Sequence, residues 1–476
     1  MFTSFSASSY KAWRATDEVA LAPITGFFGA NSSGKTSLLQ QFLLLKQTVQ
    51  SPDTSKVLDL GDDSASALVS VGGWQNLCFG RVLPQLLEFS FTWTPLHRMA
   101  VEIFQPETDI PDEVVELSRL TFDTEIHVSA LRAFARRLSY RSDDLLVDLS
   151  RWHPRDPEVS WNTVTASVGG GPNRLRLLEA EKGSLASDAV YLPSLVHCYG
   201  FPNELLAHYW NAGFLRDLQL ELEHQFERRL FYLGPRRGHG QRHYRWHGSE
   251  PVDVGPSGER TVDALLASRG RGRHNAAALA DDGTPDERIS VEEHVARMLR
   301  DLGLVTEFSV ERASEDSELY RVKVQLTRTS IPVDLMDVGF GVSQLLPLLV
   351  LLAYVPESST VLLEQPEMHL HPRIQSALAD VLIDVTRTRK LQIILESHSE
   401  HLLMRLQRRI AEQRISREHV ALYFCENDGK ESSVAKLELD DCGAIANWPK
   451  DFFGDLMGET AAIVSAGLRH RAETEG

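Results

Sequence analysis

The residues best equipped for chemistry form one unbroken run, Gly29-Ala30-Asn31-Ser32-Ser33-Gly34-Lys35-Thr36. It fits the pattern GxxxxGK[ST]. The glycines let the backbone curl until successive N–H groups face one anion, and the helix that follows adds the positive end of its dipole. Lys35 brings a point charge to the β- and γ-phosphates, and the Thr36 hydroxyl suits a Mg²⁺ ligand. The run therefore predicts a site for ATP with Mg²⁺. Gly29, Asn31, Ser32, Ser33, Gly34, Lys35, Thr36 and Ser37 would surround the phosphates. A chance Gly/Ser loop is the bland alternative. The apolar strand pattern before the run and the helical pattern after it count against that.

A metal shell needs acid at a strand end. Thr360-Val-Leu-Leu-Glu364-Gln365-Pro366-Glu367 provides it, because four apolar or β-branched residues run into an acidic cluster. Ligands gather at the C-terminal edge of open α/β sheets, so Glu364 is in position to hold the metal shell. Asp337-Val-Gly339-Phe-Gly341-Val-Ser343-Gln344 is a glycine-rich turn that opens a helix. Such an end can present N–H groups and a hydroxyl to phosphate, although a plain helix cap reads the same way. Glu396-Ser397-His398-Ser399-Glu400 follows another apolar run. A histidine there can contact a γ-phosphate or orient water.

These groups need elements to hold them. Apolar and β-branched runs predict strands up to residue 28, at 85–92, 99–104, 231–234, 308–312, 320–326, 360–363 and 391–395. Helical spacing appears at 34–49, 131–137, 215–229, 291–302, 343–355, 372–388 and 400–412. Residues 156–175 alternate like a strand, and 267–287 read as a mobile polar loop. Strand–helix alternation after residue 336 implies a largely parallel sheet covered on both faces.

The chain has 476 residues, 42% of them hydrophobic, and a net charge of −17, which does not favour bulk nucleic-acid binding. Cys78, Cys198, Cys425 and Cys442 are widely spaced and suggest reduced, buried thiols, with no disulfide framework or zinc site. No secretory leader is visible. The longest apolar run, 345–355, contains Pro347 and falls short of the roughly 20 residues that span a bilayer. A soluble cytoplasmic protein without membrane contact is the expectation.

The ordered motifs resemble the ATP-binding cassette type of ATPase head, shared by SMC-like and recombination ATPases and by OLD nucleases. Glu364-Gln-Pro-Glu-Met-His-Leu-His-Pro372 and Ser397-His-Ser-Glu-His-Leu-Leu403 resemble a group of prokaryotic AAA-type ATPases found in anti-phage systems of the Septu, PARIS and Gabija type. The stretches 231–237 and 445–453 fit the same group. The resemblance implies an α/β P-loop NTPase of the ABC-ATPase head type with an inserted α+β region. Its parts would be a P-loop lobe (1–94), an insertion without an assigned role (95–225), a return to the ATPase lobe with a basic loop (226–335) and the C-terminal part of the head (336–476).

The resemblance further implies that Gly341 and Ser343 contact the γ-phosphate bound to an opposite protomer, that His398 is a switch histidine, and that Gln75 lies in a metal- or water-sensing loop. Two heads would close head-to-tail around ATP. Two departures matter. Gln365 stands where transporter-type cassettes carry the general-base Glu, and an amide cannot accept the proton of attacking water. Glu367 or His398 would then assist, and hydrolysis would be slow. The signature is Gly-Phe-Gly-Val-Ser-Gln, so the register of Ser343 stays open by a residue or two.

The expected partners are a second copy of the chain, an effector chain (nuclease or toxin) and double-stranded DNA. Arg228, Arg229, Arg236, Arg237, Arg242 and Arg245 cluster near Tyr244 and Trp246, with further groups at Arg269, Arg271, Arg273 and at Arg405, Arg408, Arg409. These suit phosphates and stacked bases, or else salt-bridged surface. Asp440, Asp441, Asp451 and Asp455 read as solvated charge and not as a nuclease site. The first reading is an ATP-driven switch that controls a partner effector. A DNA recombination or repair ATPase and a non-hydrolysing ATP-gated scaffold are the alternatives.

Overall fold

A computed structural model describes residues 1–62, 67–103, 113–130, 132–143, 145–152, 161–168, 174–175, 197–203, 206, 213–238, 240–270, 274–279, 285–314 and 317–449. Two large sheets with one helix between them dominate it. The first sheet carries β1 (Phe2–Tyr10), β2 (Trp13–Ala15), β3 (Val19–Ala20), β5 (Gln85–Trp93), β8 (Leu120–Val128), β9 (Ala133–Arg141), β10 (Leu145–Trp152), β11 (Trp161–Val168) and β12 (Arg174–Leu175). Its strands pair antiparallel in the order β12-β11-β10-β9-β8-β5-β1-β2, with β3 on β1. A small hairpin, β6 (Met99–Ile103) with β7 (Glu113–Leu117), stands beside it.

The second sheet is parallel apart from its last strand. Its order is β13 (Leu230–Leu233), β20 (Thr360–Glu364), β21 (Gln392–Glu396), β4 (Ile24–Gly29), β22 (Val420–Asn427) and β23 (Ser432–Lys436). Strand β21 separates β4 from β20 and pairs in register with both, Glu364 opposite Glu396 and Glu396 opposite Phe27. Every residue of β4, β20 and β21 is buried, as a parallel sheet covered on both faces requires.

The period of two distributes these side chains between two cores. Phe27, Leu362 and Ile394 face helix α1 (Lys35–Val49) and the aromatic layer of the antiparallel sheet. Ile24, Phe28, Leu363 and Leu395 face the opposite core. Phe5 and Phe2 meet Phe42 of α1 edge-on, each at 5.1 Å between ring centroids. Helix α1 is apolar on most sides because it lies between both sheets; Leu38, Leu39, Phe42, Leu43 and Leu44 are all buried.

After a four-residue helix α2 (Trp74–Leu77), the remaining helices are α3 (Gly213–Glu223), α4 (Thr261–Gly270), α5 (Val291–Asp301), α6 (Phe340–Tyr354), α7 (Pro372–Thr388) and α8 (Glu400–Ala411). Helix α3 runs on as a π-helical turn at His224–Arg228. A smaller antiparallel sheet joins β14 (Tyr244–Arg245), β18 (Leu319–Gln325), β17 (Glu307–Arg312) and β19 (Val333–Asp334).

Two expectations change. Residues 133–137, expected to be helical, open strand β9, which pairs with β8 and β10 and buries Leu138 and Tyr140; pairing on both sides overrides the helix propensity of Ala, Arg and Leu. The expected loop at 267–287 finishes α4 and then forms a hairpin, β15 (His274–Leu279) with β16 (Pro285–Ser290). The hairpin is anchored by the Asn275 amide, which donates to Ala353 O at 2.8 Å. Residues 156–160, 271–273, 280–284 and 450–476, the last including Asp451, Phe453 and Asp455, lie outside the described set. Cys78, Cys198 and Cys425 are buried free thiols, whereas Cys442 is exposed. Among the described residues no helix is long and apolar enough to cross a membrane.

Candidate nucleotide site

The α/β P-loop NTPase fold expected from the sequence is present, and its loop is shaped by contacts that only glycine tolerates. Gly29 ends β4 at φ 144°, where a Cβ would meet Cys425 O at 2.1 Å. Gly34 is left-handed at φ 95°, and a Cβ there would press on the ring of Trp13 at 2.9 Å. Gly34 also leaves the N-terminus of α1 without a side-chain cap, so the first N–H groups of the helix remain available to an anion. Trp13 Nε1 donates to Ser37 Oγ at 2.8 Å, and Ser37 Oγ donates to Gly34 O at 2.5 Å. The Ser37 hydroxyl is thus engaged in holding the loop. Asn31 and Ser32 are exposed at its tip, and Ser32 is left-handed at φ 62°.

Lys35 is buried, with Nζ donating to Gly29 O at 3.1 Å, Ala30 O at 2.7 Å and Ser33 Oγ at 3.3 Å. Burial lowers its pKa, opposed by Glu396, Cys425 and Glu367. The Thr36 hydroxyl donates to Glu396 Oε2 at 2.7 Å. Glu364, on the neighbouring strand, accepts from the Tyr232 hydroxyl at 2.9 Å. Burial first, and Glu396 second, push the Glu364 carboxyl up to about 7, against the pull of Tyr232 and Lys11. Burial likewise raises Glu396, opposed by the Thr36 hydroxyl, Lys35 and the Gln365 amide. Two buried carboxylates and a threonine hydroxyl beside a phosphate cradle fit a Mg²⁺ ion, which takes one or two carboxylates and completes its shell with water and phosphate. Among the described residues no group of three His, Cys, Asp or Glu is arranged to hold a metal by itself.

Glu367 and His398 come together: His398 N donates to Glu367 Oε1 at 2.8 Å. Burial lowers the His398 pKa, Lys35 lowers it further, and the Gly29 backbone partly restores it. Burial raises the Glu367 pKa. Gln365 adopts a left-handed φ of 43° and its N–H donates to Glu396 O at 3.0 Å.

Gly341 and Ser343 sit in the first turn of α6. The contacts that fix this turn run to the loop after β20. Gly341 faces Leu370, and buried Arg237 donates from Nη1 to Gln344 O at 3.1 Å and Pro366 O at 3.2 Å. Gln75 lies on α2, its exposed amide donating to Arg81 O at 3.1 Å.

Four residues of the site lay outside the sequence reading: Glu396, Tyr232, Arg237 in its buried role, and Trp13. Glu396 had a signal, because Thr360–Glu364 and Gln392–Glu396 are both apolar five-residue strands ending in Glu. At least six of the twelve arginines considered for nucleic acid are engaged within the chain. Arg242 pairs with Asp337, Arg269 with Glu292, Arg405 and Arg409 with Asp380, and Arg408 with Glu412, while Arg237 is buried.

Residues 285–405 match the family described as "AAA domain, putative AbiEii toxin, Type IV TA system". Residues 415–463 match "Protein of unknown function (DUF3696)". No curated protein matches the chain. Among solved structures, an Smc head bound to the C-winged helix domain of ScpA aligns over 92% of this chain and 98% of its own at 9% identity and a TM-score of 0.42. The SMC head domain from Thermotoga maritima covers 92% and 99% at 9% identity and 0.36. An Smc head from Pyrococcus furiosus with an extended coiled coil, bound to the C-terminal domain of ScpA, covers 92% and 96% at 9% identity and 0.40. At that distance the superpositions define no shared detail.

Proposed function

We propose that this chain binds ATP with Mg²⁺, hydrolyses it slowly, and works as a nucleotide-gated switch that closes head-to-tail on a second copy and controls an effector chain. One observation carries the reading. Lys35 and Thr36 of the P-loop meet Glu364, Glu396, Glu367 and His398 at a single edge of the parallel sheet, all but His398 and Thr36 deeply buried. Burying that many charged groups costs several kcal/mol per ion, which protein partners and a bound ligand would offset together.

In this reading the P-loop N–H groups and Lys35 hold the phosphates, and Thr36 and Glu364 hold the metal. Bound Mg²⁺ neutralises charge on the β- and γ-phosphates. Gln365 cannot take a proton, so Glu367 or His398 would accept it from attacking water. Gly341 and Ser343 would meet the nucleotide of the opposite head. Differential γ-phosphate contact would then set the open–closed balance. The toxin–antitoxin wording of the matching family agrees with an effector-controlling role in cytoplasmic anti-phage defence. Gln365 favours a second reading, a non-hydrolysing ATP-gated scaffold.

The test measures ATP turnover and molar mass in parallel, with and without duplex DNA. Turnover or ATP-driven assembly in the wild type should vanish in Lys35→Ala, with nucleotide affinity down by about 100-fold or more. Both signals persisting in Lys35→Ala would end the reading. Assembly without turnover would favour the scaffold, and DNA-stimulated turnover would favour a DNA engine.

A further inference from the structure

The parallel register brings Glu364 and Glu396 side by side, yet their carboxylates serve different partners. Glu364 is bound to Tyr232 at 2.9 Å, on the side of β13. Glu396 is 1% exposed and accepts the Thr36 hydroxyl at 2.7 Å. Its own carbonyl accepts the Gln365 N–H at 3.0 Å, and the Gln365 amide acts on its carboxyl. A hydroxyl that donates to a carboxylate keeps its lone pairs free to face a cation. A neutral acceptor would satisfy Thr36 at much lower burial cost, so the choice of Glu at 396 calls for more than hydrogen-bond bookkeeping. A Glu at position 365 would press one more carboxylate on Glu396, where Gln presents a donor instead.

We propose that Glu396 is a positioning residue of the nucleotide–metal site: it aligns the Thr36 hydroxyl toward the metal, and Gln365, just after the neighbouring strand, holds its carboxylate in place. Gln365 is then the complement of Glu396 and not a defect in the site. The inference rests on the reading that Thr36 serves Mg²⁺–ATP.

The experiment titrates Mg²⁺ against binding of a fluorescent ATP analogue by the full chain, with a melting curve for each variant. Glu396→Ala should raise the half-saturating Mg²⁺ concentration about 10- to 100-fold. Analogue affinity in EDTA is measured for every variant, and the Mg²⁺ midpoint is read relative to it, because the Glu396 charge also acts on Lys35. Glu396→Gln, which keeps the volume and one acceptor oxygen, should fall between. Gln365→Glu alone should also weaken Mg²⁺ dependence, and Gln365→Glu/Glu396→Gln should recover to within about threefold of wild type, a coupling well beyond additivity. An unchanged Mg²⁺ midpoint in both Glu396 variants overturns the positioning role, and strictly additive singles overturn the pairing. If Glu396→Ala melts at the assay temperature, Glu396→Gln and the double variant decide. A wild type that binds the analogue without any Mg²⁺ dependence overturns the parent reading instead, and this one with it.

Discussion

The two sheets of this protein handle charge in opposite ways. Along the antiparallel sheet, strand β8 alternates buried and half-buried residues, and its charged side chains pair across the strands at the surface, as Asp123 does with Arg141 and Glu125 with Arg137. That sheet has a wet face, so charge costs little there. Strands β4, β20 and β21 of the parallel sheet have no wet face, and their carboxylates, Glu364 and Glu396, end β20 and β21. Charge without solvent must be compensated by fixed partners, here Tyr232, Thr36, Lys35 and Arg237. The contrast separates charge that solvent accommodates from charge that only fixed partners accommodate.

The sharpest way to break the comparison is at Arg237, whose guanidinium ties the start of α6 to the loop after β20 and faces Glu367. Arg237→Ala should cost about 3–5 kcal/mol in denaturant unfolding, because it strands a buried acid and several carbonyls. A loss below about 1 kcal/mol would mean that the buried edge is no more demanding than the surface.

Glu364 gives a pH signature. Its carboxyl is raised to about 7 in the folded protein against an ordinary 4.5, so the folded state holds a proton that the unfolded chain has released. The stability from this group is complete below about pH 4.5 and is lost as pH rises through 7. Glu364→Gln, without nucleotide or metal, should flatten that slope and be more stable than wild type at pH 8 by about 2–3 kcal/mol. Equal slopes between pH 5 and 8 would show that the pair does not titrate there.

Tyr232→Phe removes one hydrogen bond to the same carboxyl and should cost about 1–2 kcal/mol at pH 8, less at pH 5. Arg137→Ala on the antiparallel sheet should cost under about 1 kcal/mol and leave nucleotide affinity unchanged. An affinity change there would join the two sheets functionally and dissolve the distinction.

Local patterns were readable. Helices α1, α5, α6, α7 and α8 and strands β4, β17, β18, β20 and β21 appear within a few residues of where periodicity places them. The antiparallel region was harder. Strand β9 carries Ala and Arg in a spacing that suits a helix, and only the flanking strands decide otherwise. Residues 267–287 hid a hairpin for the same reason, since its anchor, Ala353, lies 78 positions after Asn275.

The P-loop itself was legible in the sequence alone, because its motif is contiguous: a buried strand, two glycines that take up positive φ, a lysine, a threonine and a helix start. Tertiary structure alone decided which acid meets Thr36. Glu364 and Glu396 end strands of nearly identical composition, and sequence offers no reason to prefer either. The order β20-β21-β4 inserts one strand between the acidic strand and the loop, so the carboxylate that reaches Thr36 across 360 positions is the one on the strand adjacent to β4.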